Sequence, residues 1–61
     1  MEAKAFNDLG IAFMRNGQPN QGVDAFQRAV ALEPSAQYRK NLGTALTALG
    51  RTEEADRYLD R

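Results

Sequence analysis

The sequence predicts an all-α protein of two tandem helix-turn-helix repeats, because it repeats internally and spaces its apolar residues as helices do. In this chain of 61 residues, Gly10 and Gly43 are 33 residues apart, and so are Gly17 and Gly50. A period of this length is typical of stacked repeat proteins, whose units bury their apolar faces on one another. Such an architecture offers surfaces for partners rather than a pocket for chemistry.

The first helix is predicted over residues 3–16, where large apolar residues recur at intervals of three and four. Its expected buried face consists of Phe6, Leu9, Gly10 and Phe13. Gly17 is expected to close this helix in the left-handed conformation. Pro19 suits the first turn of the second helix, where its missing N–H costs nothing.

The second helix should stop near Glu33, because Pro34 disfavours helical geometry in the residue before it. One side of this helix carries the small and apolar residues Gly22, Phe26, Ala29 and Val30. The third helix should begin after Ser35 as its N-cap and end at Gly50. Its apolar positions are Tyr38, Leu42, Ala45, Leu46 and Leu49. The short turns predict that neighbouring helices run antiparallel.

The fourth helix should open at Thr52 and continue to Arg61, with Glu53 and Glu54 at its positive end. Its expected apolar face consists of Ala55, Tyr58 and Leu59. A cation-binding site at Glu53, Glu54 and Asp56 is a much weaker interpretation, since acidic residues are common in the first turn of a helix.

Composition argues against several classes of function. Eight basic residues balance eight acidic ones without a block of either sign, so we expect no binding to nucleic acid or to an anionic membrane. No apolar stretch approaches the ~20 residues of a membrane span, and no secretory signal is recognisable, so a cytoplasmic location is expected. Without His or Cys, and with no nucleophile beside an activating group, the chain is predicted to be non-enzymatic and to need no cofactor or metal.

The whole chain resembles a tetratricopeptide repeat protein, a family of α-solenoids with helix-turn-helix units of 34 residues. The first unit matches the family pattern at Phe6, Leu9, Gly10, Phe13, Gly17, Phe26, Ala29 and Pro34. The second unit matches it at Leu42, Gly43, Leu46, Gly50, Ala55 and Leu59, and one residue is missing before Leu42. The resemblance implies one domain over residues 1–61, with repeats over 3–35 and 36–61.

The resemblance also implies a partner-binding groove, since the first helices of successive repeats line a concave surface that receives a peptide or a partner's helix in this family. The candidate groove residues are Lys4, Asn7, Asp8, Ile11, Met14, Arg15, Lys40, Asn41, Thr44 and Thr47. Ile11 and Met14 are either an apolar binding spot on a polar face or ordinary scattered apolar residues.

Some members of the family hold the C-terminal carboxylate of a chaperone with a clamp of Lys and Asn side chains. Asn41 stands at one clamp position of the second repeat. Asn7 and Ile11, however, replace the first repeat's Lys and Asn, so a carboxylate clamp is not expected here.

The two ends of the repeat pair differ in sequence. Asp56 stands 33 residues after Val23, so the fourth helix resembles a polar cap, to which Arg57 and Asp60 contribute. Ala12 corresponds to Ala45 and should pack closely against a preceding helix.

Self-association through these edges is therefore expected as an addition to groove binding, and helix exchange across the turns at residues 16–19 or 34–35 is one form it could take. The alternative function is a minimal structural repeat, natural or engineered, that only self-assembles and has no ligand of its own.

Overall fold

The structure is a computed structural model that describes residues 2–59 of the chain. Four α-helices follow one another in this part of the sequence, and no strand occurs between them. The helices are α1 (Glu2–Arg15), α2 (Pro19–Leu32), α3 (Ala36–Ala48) and α4 (Thr52–Leu59). Each helix packs against the next along the chain, and α1 also touches α3. The all-α prediction is confirmed, and the helix boundaries lie within one or two residues of those expected, apart from the expected end of α4 at Arg61, which lies outside the described residues.

The two turns inside the helix pairs have the same construction. Gly17 and Gly50 adopt positive φ angles of 73° and 77°. The N–H of Gln18 donates to the carbonyl of Phe13 over 2.8 Å, and the N–H of Arg51 donates to the carbonyl of Leu46 over 2.9 Å. These bonds satisfy carbonyls that the ends of α1 and α3 would otherwise leave unpaired, so both glycines close a helix as predicted.

The residues predicted to begin and end α2 and to begin α3 are also confirmed in these roles. Pro19 occupies the first position of α2, and α2 ends at Leu32, two residues before Pro34. Ser35 caps α3, because its Oγ accepts a hydrogen bond of 3.1 Å from the N–H of Tyr38. The hydroxyl thus satisfies one of the four N–H groups that have no partner within the helix.

The core lies where α2 and α3 meet, and α4 closes it with one small residue. Its buried members are Val23, Phe26, Leu42, Ala45, Leu46 and Ala55. Gly10 lets the ring of Phe26 approach α1, since a Cβ on Gly10 would lie 2.5 Å from two ring carbons. Gly43 admits Leu59 in the same way, so one contact between small and large residues recurs in both helix pairs.

The prediction that Phe6, Leu9 and Phe13 form a buried face is wrong. Leu9 is 45% exposed, and both phenylalanines are only half-buried, whereas Gly10 is buried. Spacing of three and four residues identifies an apolar stripe, but burial also needs an element that covers the stripe. Within residues 2–59 no helix lies over this side of α1, and Ala12 is exposed there as well.

The polar character predicted for α4 applies to the part that the structure describes. Asp56 and Arg57 are exposed, while Tyr58 and Leu59 are half-buried against the core. Asp60 and Arg61, which the sequence analysis placed in this helix, lie outside the described residues.

Candidate partner-binding groove

Half of the predicted groove residues meet in one depression between α1 and α3. Its volume is about 190 Å³. The lining residues are Ile11, Met14, Arg15, Phe26, Asn41, Thr44 and Ala45. Phe26 and Ala45 belong to the buried core and were not among the predicted groove residues. Phe26 is part of this surface because α2 packs behind α1 and α3, whereas Ala45 lies on α3 itself.

Asn7 was predicted to face a partner, but it is buried, with 7% of its surface exposed. Its side-chain oxygen accepts a hydrogen bond of 2.8 Å from the amide nitrogen of Asn41. The physical reason is that a buried amide needs a polar partner, and α3 supplies one 34 residues further along the chain. Asn7 therefore joins the two helices behind the groove instead of lining it.

Ile11 and Met14 are not freely exposed apolar residues either. Both are half-buried and pack against the core cluster. The absence of a side chain at Gly22 makes room for Met14, because a Cβ on Gly22 would lie 2.9 Å from the Met14 Sδ. The two residues thus form an apolar floor that is anchored from below, with one side open to solvent.

Apart from Asn7, the predicted residues outside the depression are exposed, and Lys4, Asp8 and Thr47 form local interactions. Lys4 Nζ lies 2.9 Å from Asp8 Oδ2, and this hydrogen bond, together with the charge of Asp8, raises the pKa of Lys4. Thr47 donates its hydroxyl to the carbonyl of Gly43 over 2.9 Å. In the depression itself, Thr44 makes the same kind of bond to the carbonyl of Lys40 over 3.0 Å. These bonds hold the threonine hydroxyls against the helix backbone.

The acidic turn of α4 is organised around an ion pair. Arg51 donates from Nε and from a terminal guanidinium nitrogen to the two carboxylate oxygens of Glu54, over 2.6 and 2.8 Å. This pairing lowers the pKa of Glu54 and raises the pKa of Arg51. Among residues 2–59, no three His, Cys, Asp or Glu side chains lie close enough together to hold a metal ion. None of the described helices is long and apolar enough to cross a membrane.

A second depression, of about 290 Å³, lies on the other side of α1. We call its lining the front face, which consists of Phe6, Leu9, Phe13, Gln21, Asp24, Ala25 and Arg28. The guanidinium carbon of Arg28 stands 5.6 Å from the centre of the Phe6 ring, at the edge of this surface. Its three large residues were predicted to be buried, whereas an interaction at this edge of the repeat pair was predicted from Ala12.

Comparison of the sequence with known proteins gave one match, to a family model. The family model described as tetratricopeptide repeat matches residues 7–61, and no curated protein and no solved structure matches the chain. Domains of this family generally mediate protein–protein interaction and are generally non-catalytic. The match spans nearly the whole chain, and the four helices correspond to about two repeats, so this chain belongs to the tetratricopeptide repeat family.

Proposed function

We propose that the chain is a non-catalytic interaction module that binds a peptide or a partner's helix in the groove between α1 and α3. We assign the first repeat to residues 3–35 and the second to residues 36–61, so that the groove lies between the first helices of both repeats. The observation that carries the proposal is the open depression, with an apolar floor of Ile11 and Met14 and a polar edge of Arg15, Asn41 and Thr44. Apolar area with a few placed polar groups is typical of binding sites.

The charges around this depression favour an acidic ligand. Arg15 lines the depression, is exposed and forms no ion pair within the described part of the chain. Lys4, by contrast, is already paired with Asp8. An acidic side chain or a terminal carboxylate could pair with Arg15 while neighbouring apolar residues lie on the floor.

The test is a titration of the ¹⁵N-labelled chain with two synthetic peptides of the same length, one of leucine, asparagine and glutamate and one with lysine in place of glutamate. We expect the acidic peptide to shift the amide signals of Ile11, Arg15 and Asn41. Arg15→Glu should weaken its binding by about tenfold, the size of one lost charge-assisted contact. Arg57→Glu is the matched control, because Arg57 is also an exposed arginine in the last turn of a helix.

Three results would contradict the proposal. They are failure of both peptides to bind at millimolar concentration, signal shifts confined to α4, and equal weakening by Arg15→Glu and Arg57→Glu. Polar substitutions of Ile11 or Met14 are less suitable tests, since both residues also support the core.

A second candidate function is self-association through an edge of the repeat pair, as a minimal structural unit without a ligand of its own. The observation in its favour is the front face, where Leu9 is 45% exposed between two half-buried phenylalanines. Large apolar groups in one exposed cluster favour contact with another protein surface.

A further inference from the structure

The repeat itself shows how much of the front face a neighbouring helix would cover. Leu42 and Leu46 stand 33 residues after Leu9 and Phe13, and both are 1% exposed because α2 packs against α3. Leu9 remains 45% exposed at the corresponding place in α1. The front face on α1 therefore occupies the positions that are equivalent to a fully buried surface of α3.

A second copy cannot cover this surface with the helices that would continue the stack. Val23 and Phe26, through which α2 contributes to the core it shares with α3, are each 2% exposed and already used within the copy. In α4, the position equivalent to Val23 is Asp56, and a carboxylate against Leu9 would lose water. Stacking of α4 on α1 of the next copy is thus unfavourable, whereas the front face of a second copy offers an apolar surface around an equally exposed Leu9.

The charges at the edge of the front face allow two identical front faces to pair opposite charges. Asp24 and Arg28 are one helical turn apart on α2. Neither forms an ion pair within residues 2–59, although Asp24 interacts with the charge of Arg51 at longer range. In a two-fold contact, the same surface of both copies takes part, and a residue on one copy generally faces a different residue on the other. A two-fold axis that passes between Asp24 and Arg28 would therefore set Asp24 of each copy opposite Arg28 of the other. The formal net charge of zero adds no long-range repulsion between copies.

We propose that two copies of the chain pack front face to front face about a two-fold axis. Leu9 lies near the centre of the contact, and Asp24 of each copy pairs with Arg28 of the other. This inference rests on the second candidate function, self-association, and is independent of peptide binding in the groove. It differs from a head-to-tail array because it closes at two copies.

The first test is sedimentation equilibrium from about 10 µM to about 1 mM chain, a range that covers weak and moderate dimers. We expect a monomer–dimer equilibrium without larger species. Leu9→Gln should raise the dimer dissociation constant by about tenfold or more, since one Leu9 from each copy leaves the contact. Leu32→Gln is the matched control, because Leu32 is 52% exposed but lies outside the front face, and it should leave the constant unchanged.

The second test uses charge variants in a low-salt buffer, where surface charges are least screened. Asp24→Arg alone and Arg28→Glu alone should each remain monomeric, because like charges then face one another across the axis. An equimolar mixture of the two should form a heterodimer, since every facing pair is then opposite in sign. The double variant Asp24→Arg/Arg28→Glu should dimerise by itself, and it controls for the lost contact between Arg28 and Phe6.

The outcomes test self-association and the two-fold contact separately. A monomer at every concentration would overturn both self-association and the two-fold contact. A dimer that Leu9→Gln and Leu32→Gln weaken equally, or single charge variants that fail to combine, would overturn the two-fold contact and leave self-association standing. Circular dichroism verifies that each variant is helical. If Leu9→Gln is unfolded, the charge variants alone test the two-fold contact.

Discussion

The side chains of Asn7 and Asn41 form a hydrogen bond of 2.8 Å that joins α1 to α3. Asn7 is almost fully buried and Asn41 is half-buried, so this bond is partly shielded from water. Gln37 donates to the side-chain oxygen of Asn41 over 3.3 Å and helps to fix the orientation of that amide. A polar pair that sequence analysis assigned to ligand binding therefore stabilises the arrangement of the two helices.

Asn7→Ala should lower the free energy of unfolding by about 1–3 kcal/mol, because the Asn41 amide then loses its buried partner. For a domain of this size, each 1 kcal/mol corresponds to roughly 4–8 °C in melting temperature. Thermal unfolding followed by circular dichroism measures the change. Asn20→Ala, an exposed position on α2, is the control and should change the stability by less than about 0.5 kcal/mol. Equal effects of the two variants would show that the hydrogen bond contributes nothing.

Gly10→Ala should destabilise the fold by about 1–3 kcal/mol, because the new methyl group would collide with the buried ring of Phe26. The better helix propensity of alanine, about 1 kcal/mol, offsets only part of this cost. Gly22→Ala is the comparison, since the methyl group there meets mainly the flexible side chain of Met14, at 2.9 Å from its Sδ, and lies 3.3 Å from the carbonyl oxygen of Gly10. Urea denaturation should place Gly22→Ala within about 1 kcal/mol of wild type. If Gly10→Ala is as stable as Gly22→Ala, the close approach of Phe26 to α1 is not a tight constraint.

Gly50→Ala should cost about 1–2 kcal/mol through backbone strain alone, because no atom lies within 4 Å of the added methyl group. Gly50 has a φ angle of 77°, which residues with a Cβ rarely adopt. Gly50→Asn should cost less, since asparagine tolerates the left-handed region better. The midpoints of urea unfolding rank the three proteins. An alanine variant as stable as wild type would mean that the turn can change its conformation freely.

The ion pair between Arg51 and Glu54 predicts a specific dependence of stability on pH. Because the pKa of Glu54 is lowered in the folded state, its contribution is complete above the pKa of the unfolded chain. The contribution then disappears as the pH falls through the folded-state pKa. Wild type should thus melt at a higher temperature than Glu54→Gln at neutral pH, and the difference should vanish in acid.

The neighbouring carboxylate supplies the control for this titration. Glu53 is exposed in the same turn and forms no ion pair in the described part of the chain. Both variants lose an equal interaction with the positive end of α4. Glu53→Gln should therefore lower the melting temperature less than Glu54→Gln does. A difference between wild type and Glu54→Gln that persists unchanged into acid would rule out the ion pair as its source.

Local signals in the sequence were sufficient for the helices and their ends. Ser35, Pro19, Gly17 and Gly50 act on groups within about five residues, so their effects do not depend on the rest of the fold. The apolar residues of α3 were placed correctly for a different reason. Leu42 and Leu46 have α2 on one side, so the predicted face is also a covered face.

The errors all concern contacts between distant parts of the chain. The helical spacing of Phe6, Leu9 and Phe13 does not reveal whether another helix covers them. Asn7 looked like a surface residue because nothing near it in sequence shows that Asn41 satisfies its amide. Five of the ten predicted groove residues line one depression, and Phe26 lines it as well because α2 packs behind α1 and α3.

The packing order of the helices also determines how the molecule opens. Within residues 2–59, α4 packs only against α3, whereas α2 lies between α1 and α3. Backbone amide protons exchange with solvent through local opening, and segments with fewer buried contacts open at lower free energy. Protons of α4 should thus exchange with deuterium fastest, and those around the fully buried Ala29 in α2 slowest. In this protein, reversible detachment of α4 would expose Gly43, against which Leu59 packs, for short periods while α1, α2 and α3 remain packed.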